Sequence, residues 1–188
     1  MTFWYGARES FDKLSQTDVM SWDNYIEWSK LNQLKELVSL DGILNGDLVN
    51  PDFDNADDWN FILIDEQFQT GFYNSVEYVL KNIETKKKFN LLAVIKEPNE
   101  KCELLELADF EFVGYELLDK DYSNSALTNC GGFDETFLPN ELNEYGLIND
   151  YEKAYDIRKR LVENNPEEHH ANCNVFAVWR HKTIGRAK

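Results

Sequence analysis

The chain has 188 residues, of which 43% are hydrophobic and 14% aromatic, and its net charge is -16. A domain of this size buries roughly 70% of the surface its unfolded form exposes, and so rich an aromatic content excludes a disordered chain. The acid excess argues against direct nucleic-acid binding, which needs clustered Lys and Arg. The longest aliphatic run, Leu91 to Ile95, is far too short to cross a membrane.

In chain order, Met1 to Arg8 lacks the apolar core of a secretion signal. Ser21 to Leu40 reads as a helix: Ser21 caps it, and Tyr25, Trp28, Leu31, Leu34, Leu37 and Val38 recur at three- or four-residue steps. Asp41-Gly42 stops it, and the turn residues from Asn45 to Asp58 make a loop. Trp59 to Ile64 is a short apolar run that suits a strand. The stripe Phe68, Phe72, Val76, Val79, Leu80 and Ile83 predicts a second helix, ended by Lys86-Lys87-Lys88 where cations suit the carboxyl-terminal dipole.

Phe89 to Ile95 is expected as a buried strand, followed by a short helix after Pro98-Asn99 that carries Cys102, Leu105 and Ala108. Phe110 to Leu118 is the next strand. Ser123 to Phe137 is irregular, and Asn140 to Tyr145 is a helical turn or two. Asn149 to Val162 is a helix with Asn149 as cap and Tyr151, Ala154, Ile157 and Leu161 on one face. Cys173 to Trp179 closes the chain as a strand buried on both faces. No linker or repeat divides the sequence. The expectation is one α+β domain over residues 1–188, with about four strands in one mainly antiparallel sheet and three or four helices.

Charge is distributed unevenly. From Glu36 to Leu80 the chain carries ten acids (Glu36, Asp41, Asp47, Asp52, Asp54, Asp57, Asp58, Asp65, Glu66 and Glu77) and no Lys or Arg. Neighbours in sequence cannot neutralise such a segment, so solvent, a distant basic stretch or another molecule must. Residues 157–188 hold seven cations (Arg158, Lys159, Arg160, Arg180, Lys182, Arg186 and Lys188) against three acids. Folding this tail over the acidic segment is the internal solution, but its surplus is too small to balance ten negatives. An external basic partner is therefore expected. Asp52, Asp54, Asp57 and Asp58 are placed to steer it, and Trp59 to anchor it.

Metal and catalytic readings are weaker. Asp52 to Asp58 departs from the calcium-loop template, with Asp57 where glycine is needed and Leu63 where a bidentate Glu is needed. His169, His170 and Cys173 offer zinc ligands without a second pair, so no metal or other cofactor is expected. Cys102, Cys130 and Cys173 are widely spaced and odd in number, which predicts reduced thiols and a cytoplasmic setting. The most enzyme-like stretch is Thr128 to Gly132. In the alternative reading Cys130 is the nucleophile of a small hydrolase or transferase, with His169 or His170 as base. Tight-turn glycines with Cys130 in a small apolar space explain the same residues more simply.

Small, acidic and rich in aromatics, the chain resembles as a class the immunity proteins with which bacteria block their own secreted toxins. The resemblance is one of composition and transfers no residue role. It implies a non-enzymatic inhibitor that occludes a basic toxin domain.

Overall fold

A computed structural model of the chain describes residues 2–15, 19–50, 61–65, 70–83, 87–120, 124–128, 139–164, 166–167 and 171–186. The elements in order are β1 (Trp4–Glu9), β2 (Phe11–Asp12), α1 (Trp22–Ser29), β3 (Glu36–Leu37), β4 (Phe61–Asp65), β5 (Thr70–Tyr73), α2 (Val76–Lys81), β6 (Phe89–Lys96), β7 (Phe110–Asp119), a 3-10 turn (Pro139–Glu141), α3 (Tyr151–Asn164) and β8 (Cys173–His181). The fold is α+β. Six strands pair antiparallel in the order β4-β5-β1-β6-β8-β7, and β2 with β3 forms a separate two-stranded ribbon. The sheet is thus wider than the four strands expected.

β6 and β8 lie side by side inside the sheet and are buried on both faces, which explains their nearly unbroken apolar sequences. Alternation sends Leu91, Ala93, Ile95, Val175, Ala177 and Trp179 to one face, where Ala154, Ile157 and Leu161 of α3 pack. Leu92, Val94, Phe176 and Val178 point to the other, against Val38, Leu40 and Leu147. That second layer is irregular chain, so its polar backbone needs partners from side chains.

Four expectations are corrected. The strand β1, not among the expected elements, lies between β5 and β6; Gly6 and buried Arg8 interrupt its alternation. The first helix stops at Ser29, where Lys30 takes a left-handed φ of 60° and its N–H closes on the Ile26 carbonyl. Leu31, Leu34, Leu37 and Val38 are still buried, but as irregular chain and strand. The second helix begins only at Val76, with Ser75 as N-cap, because Thr70–Tyr73 belongs to the sheet. The helix expected after Pro98 is a run of turns.

Candidate partner-binding surface

Three members of the acidic segment face inward. Glu36 is held by Arg180 at 3.1 Å and Lys88 at 3.7 Å, and it accepts from Asn90 Nδ2 at 2.9 Å and from the Ser10 hydroxyl. Asp47 meets the buried Arg8 guanidinium at 3.0 Å and accepts from the Gly71 N–H at 2.8 Å. Asp41 accepts backbone N–H groups of Ile43 and Ser125, and burial raises its pKa to about 6. The basic tail therefore reaches the acidic segment, through Arg180, as the internal solution requires. Arg8 supplies the other cation, from a strand the charge count had not considered.

Asp52, Asp54, Asp57, Asp58 and Trp59 lie outside the described residues, as do Cys130, His169 and His170. The two described cysteines are buried, and burial raises the Cys102 thiol to about 11 and that of Cys173 to about 12. Such thiols are almost wholly protonated at neutral pH and poor nucleophiles.

A strongly perturbed carboxyl is Glu116, fully buried on β7. It accepts from Ser39 Oγ, Leu40 N–H, Leu117 N–H and Ser125 Oγ, at 3.0, 3.4, 3.0 and 2.8 Å. Burial pushes its pKa to about 7 against these bonds. Shifted carboxyls often mark active sites. This one is enclosed on all sides, so it clamps three chain segments together rather than meeting a substrate.

Two exposed leucines, Leu104 and Leu105, lie in the loop that leads into β7. The loop from Glu97 to Asp109 joins β6 to this edge strand, and several bonds tie it down. The Cys102 N–H donates to Tyr115 Oη at 2.9 Å, the Trp179 indole N–H donates to the Leu105 carbonyl at 3.2 Å, and Glu103 Oε1 accepts from the Tyr151 N–H at 2.8 Å. The last bond satisfies an orphan donor at the start of α3, a capping role filled here from far along the chain. Between the ties Leu104 is left 94% exposed.

Beside this loop opens a cleft of about 710 Å³ whose walls include Leu105, Leu107, Phe110, Phe112 and Trp179. Glu103 and Phe112 also line a second cleft, of about 430 Å³, reaching Asn143, Glu144 and Tyr145. Glu106 and Glu111 edge the larger one, with Lys182 as a cation on its wall. Glu111 is engaged by Arg180 and Arg186, which hold its pKa below the usual range. Among the described residues, no Lys or Arg forms an ion pair with Glu100, Glu103 or Glu106. The surface thus offers apolar walls beneath an acidic rim.

Sequence reasoning missed this site because Glu103-Leu104-Leu105-Glu106 read as part of a helix. The signal present was two adjacent leucines among acids with no helical stripe to bury both. Comparison with protein-family models, curated proteins and solved structures finds no match for the chain.

Proposed function

We propose that the chain is a non-catalytic acidic binding protein that recognises a basic protein partner in the cytoplasm, and that it serves as an immunity protein blocking a toxin domain. The observation that carries this reading is a division of charge. Arg8 and Arg180 are committed to Asp47 and Glu36 inside the fold, whereas among the described residues Glu100, Glu103 and Glu106, which flank exposed Leu104 in the same loop, form no ion pair with Lys or Arg. A field left uncompensated in this way speeds encounter with a basic surface, and apolar anchors then slow release. The acids Asp52, Asp54, Asp57 and Asp58 add to the same field, with Trp59 as a further anchor.

The test is retention of proteins from the native host lysate on the immobilised chain at low and high salt, with identification by mass. A basic protein held at low salt, whose toxicity disappears when the chain is co-produced, is the expected result. Recovery of only neutral or acidic proteins, or of a basic protein whose activity the chain leaves untouched, counts against it.

A further inference from the structure

β7 is an edge strand, and its outer side is only partly covered. Among the described residues it is bridged by Ile148 at Tyr115 and by Ser125 at Leu118, while Phe110–Val113 pairs with β8 alone and the Phe110 N–H turns back to the Leu107 carbonyl at 3.1 Å. A register shift falls between Phe112 and Gly114, where Gly114 adopts φ +141°. Such a bulge twists the strand and ends regular pairing. Along the open stretch run the two clefts, which share Glu103 and Phe112. Asn143 donates to the Val113 carbonyl at 2.8 Å, so the open edge is bounded at that end as well.

We propose that this edge receives an extended basic segment of the partner, which adds as a further strand alongside Phe110–Val113. Its alternate side chains would enter the clefts on either side of Phe112. Strand addition draws affinity from main-chain hydrogen bonds and specificity from pockets for every second side chain. Charge selects the occupant. A second copy of this chain would bring Glu103 and Glu106 against themselves, Glu111 and Glu144 being already paired with Arg180, Arg186 and Lys35, and like charges facing across a strand pair are destabilising. A lysine- or arginine-bearing strand instead places cations against Glu103 and Glu106 and leaves its small apolar residues for Phe112 and Leu105.

This inference rests on the basic-partner reading but can fail separately from it. The probe is a synthetic peptide of about eight residues, the length of an ordinary strand, alternating lysine and valine. It is compared with a glutamate–valine peptide and with two lysine peptides N-methylated at alternate residues in opposite frames. The lysine peptide should bind and slow amide exchange along Phe110–Val113. One N-methylation frame should weaken binding by roughly tenfold or more and the other should not, because only one edge of the peptide faces β7. A doubly changed protein, Leu104→Ser with Glu106→Lys, alters two exposed side chains and should bind the lysine peptide more weakly while melting as wild type does.

Equal binding of both N-methylated peptides, equal binding of the glutamate peptide, or no binding up to about 1 mM overturns the proposal, a loss already weaker than specific recognition requires. So does a concentration-dependent dimer in sedimentation that hides the edge. If a basic protein is still captured at low salt by the Leu104→Ser, Glu106→Lys protein as well as by wild type, the edge assignment falls and the basic-partner reading stands.

Discussion

Glu116 shows how a single side chain can set the pH response of the fold. Its pKa rises from 4.5 to about 7 because burial opposes charge more strongly than four neutral donors favour it. Between those pH values the folded chain keeps a proton that the unfolded chain has released. Its contribution is therefore fully present below about pH 4.5 and is lost as pH climbs through 7, on the order of 1.4 kcal/mol per pH unit. Asp41, raised to about 6, acts in the same direction over a narrower window. Asp12 and Glu111 are lowered, so their contribution is lost only as pH falls below the ordinary carboxylate range. Urea unfolding from pH 5 to 8 should show wild type weakening with pH, and Glu116→Gln should flatten that slope and overtake wild type at the alkaline end. A wild-type profile flat over this range would mean that Glu116 holds no proton. The thiols give a second prediction at this scale. In a Cys130→Ser protein, Cys102 and Cys173 should resist an aromatic disulfide reagent until denaturant is added. Prompt reaction of either in the native protein would contradict the burial that keeps them protonated.

At the scale of elements, β6, β7, β8 and α3 were legible because their apolar patterns are long and decided by burial alone. Phe89–Lys96 and Cys173–His181 match the expected strands at their starts and run two residues or fewer beyond their ends. α1 was misread in length for a physical reason: a three- and four-residue spacing of apolar groups also suits irregular chain that touches the core at each of those groups. β1 was invisible because its inward positions on one face are Trp4, Gly6 and Arg8, and the partner that makes Arg8 tolerable, Asp47, lies far away in sequence. The open edge of β7 could not be read at all, since strand order is a property of pairing. Gly114 tests this element directly. A Cβ there would stand 2.6 Å from Leu147 Cβ and 2.9 Å from the Ile148 carbonyl, at a φ that side chains avoid. Gly114→Ala should therefore cost about 2–4 kcal/mol in denaturant unfolding. Gly46→Ala, whose new Cβ meets nothing closer than 3.9 Å, should stay within about 1 kcal/mol of wild type. Similar losses from both would deny that the bulge needs glycine.

For the molecule as a whole, the acidic segment separates into two populations that sequence cannot distinguish, because a count of charges has no inside or outside. Glu36 belongs to the fold. It sits between Arg180, Lys88 and Asn90, and removing one partner of a buried pair typically costs about 3–5 kcal/mol. The cost of Glu36→Gln should lie toward the lower end, because Arg180 keeps Glu111 at 3.0 Å. Under the proposed function Asp52, Asp54, Asp57 and Asp58 belong instead to the external field. Each alone is worth about 0.2–1 kcal/mol as an exposed pair, so single Asp→Asn changes should barely register. Reversing all four to Lys should sharply slow association with the captured partner at low salt and leave the thermal melt near that of wild type. The two rates should converge as salt rises, since screening acts over about 8 Å at physiological ionic strength. Glu36→Gln should behave oppositely, melting earlier while its folded fraction associates at the wild-type rate. Stopped-flow association across a salt series, run beside thermal melts of both proteins, separates the cases. If the four-fold reversal unfolds the protein, those aspartates are neutralised internally as Glu36 is, and the external field loses its largest contributor. If it folds and associates as fast as wild type at low salt, steering must come from the rim of the β7 cleft alone.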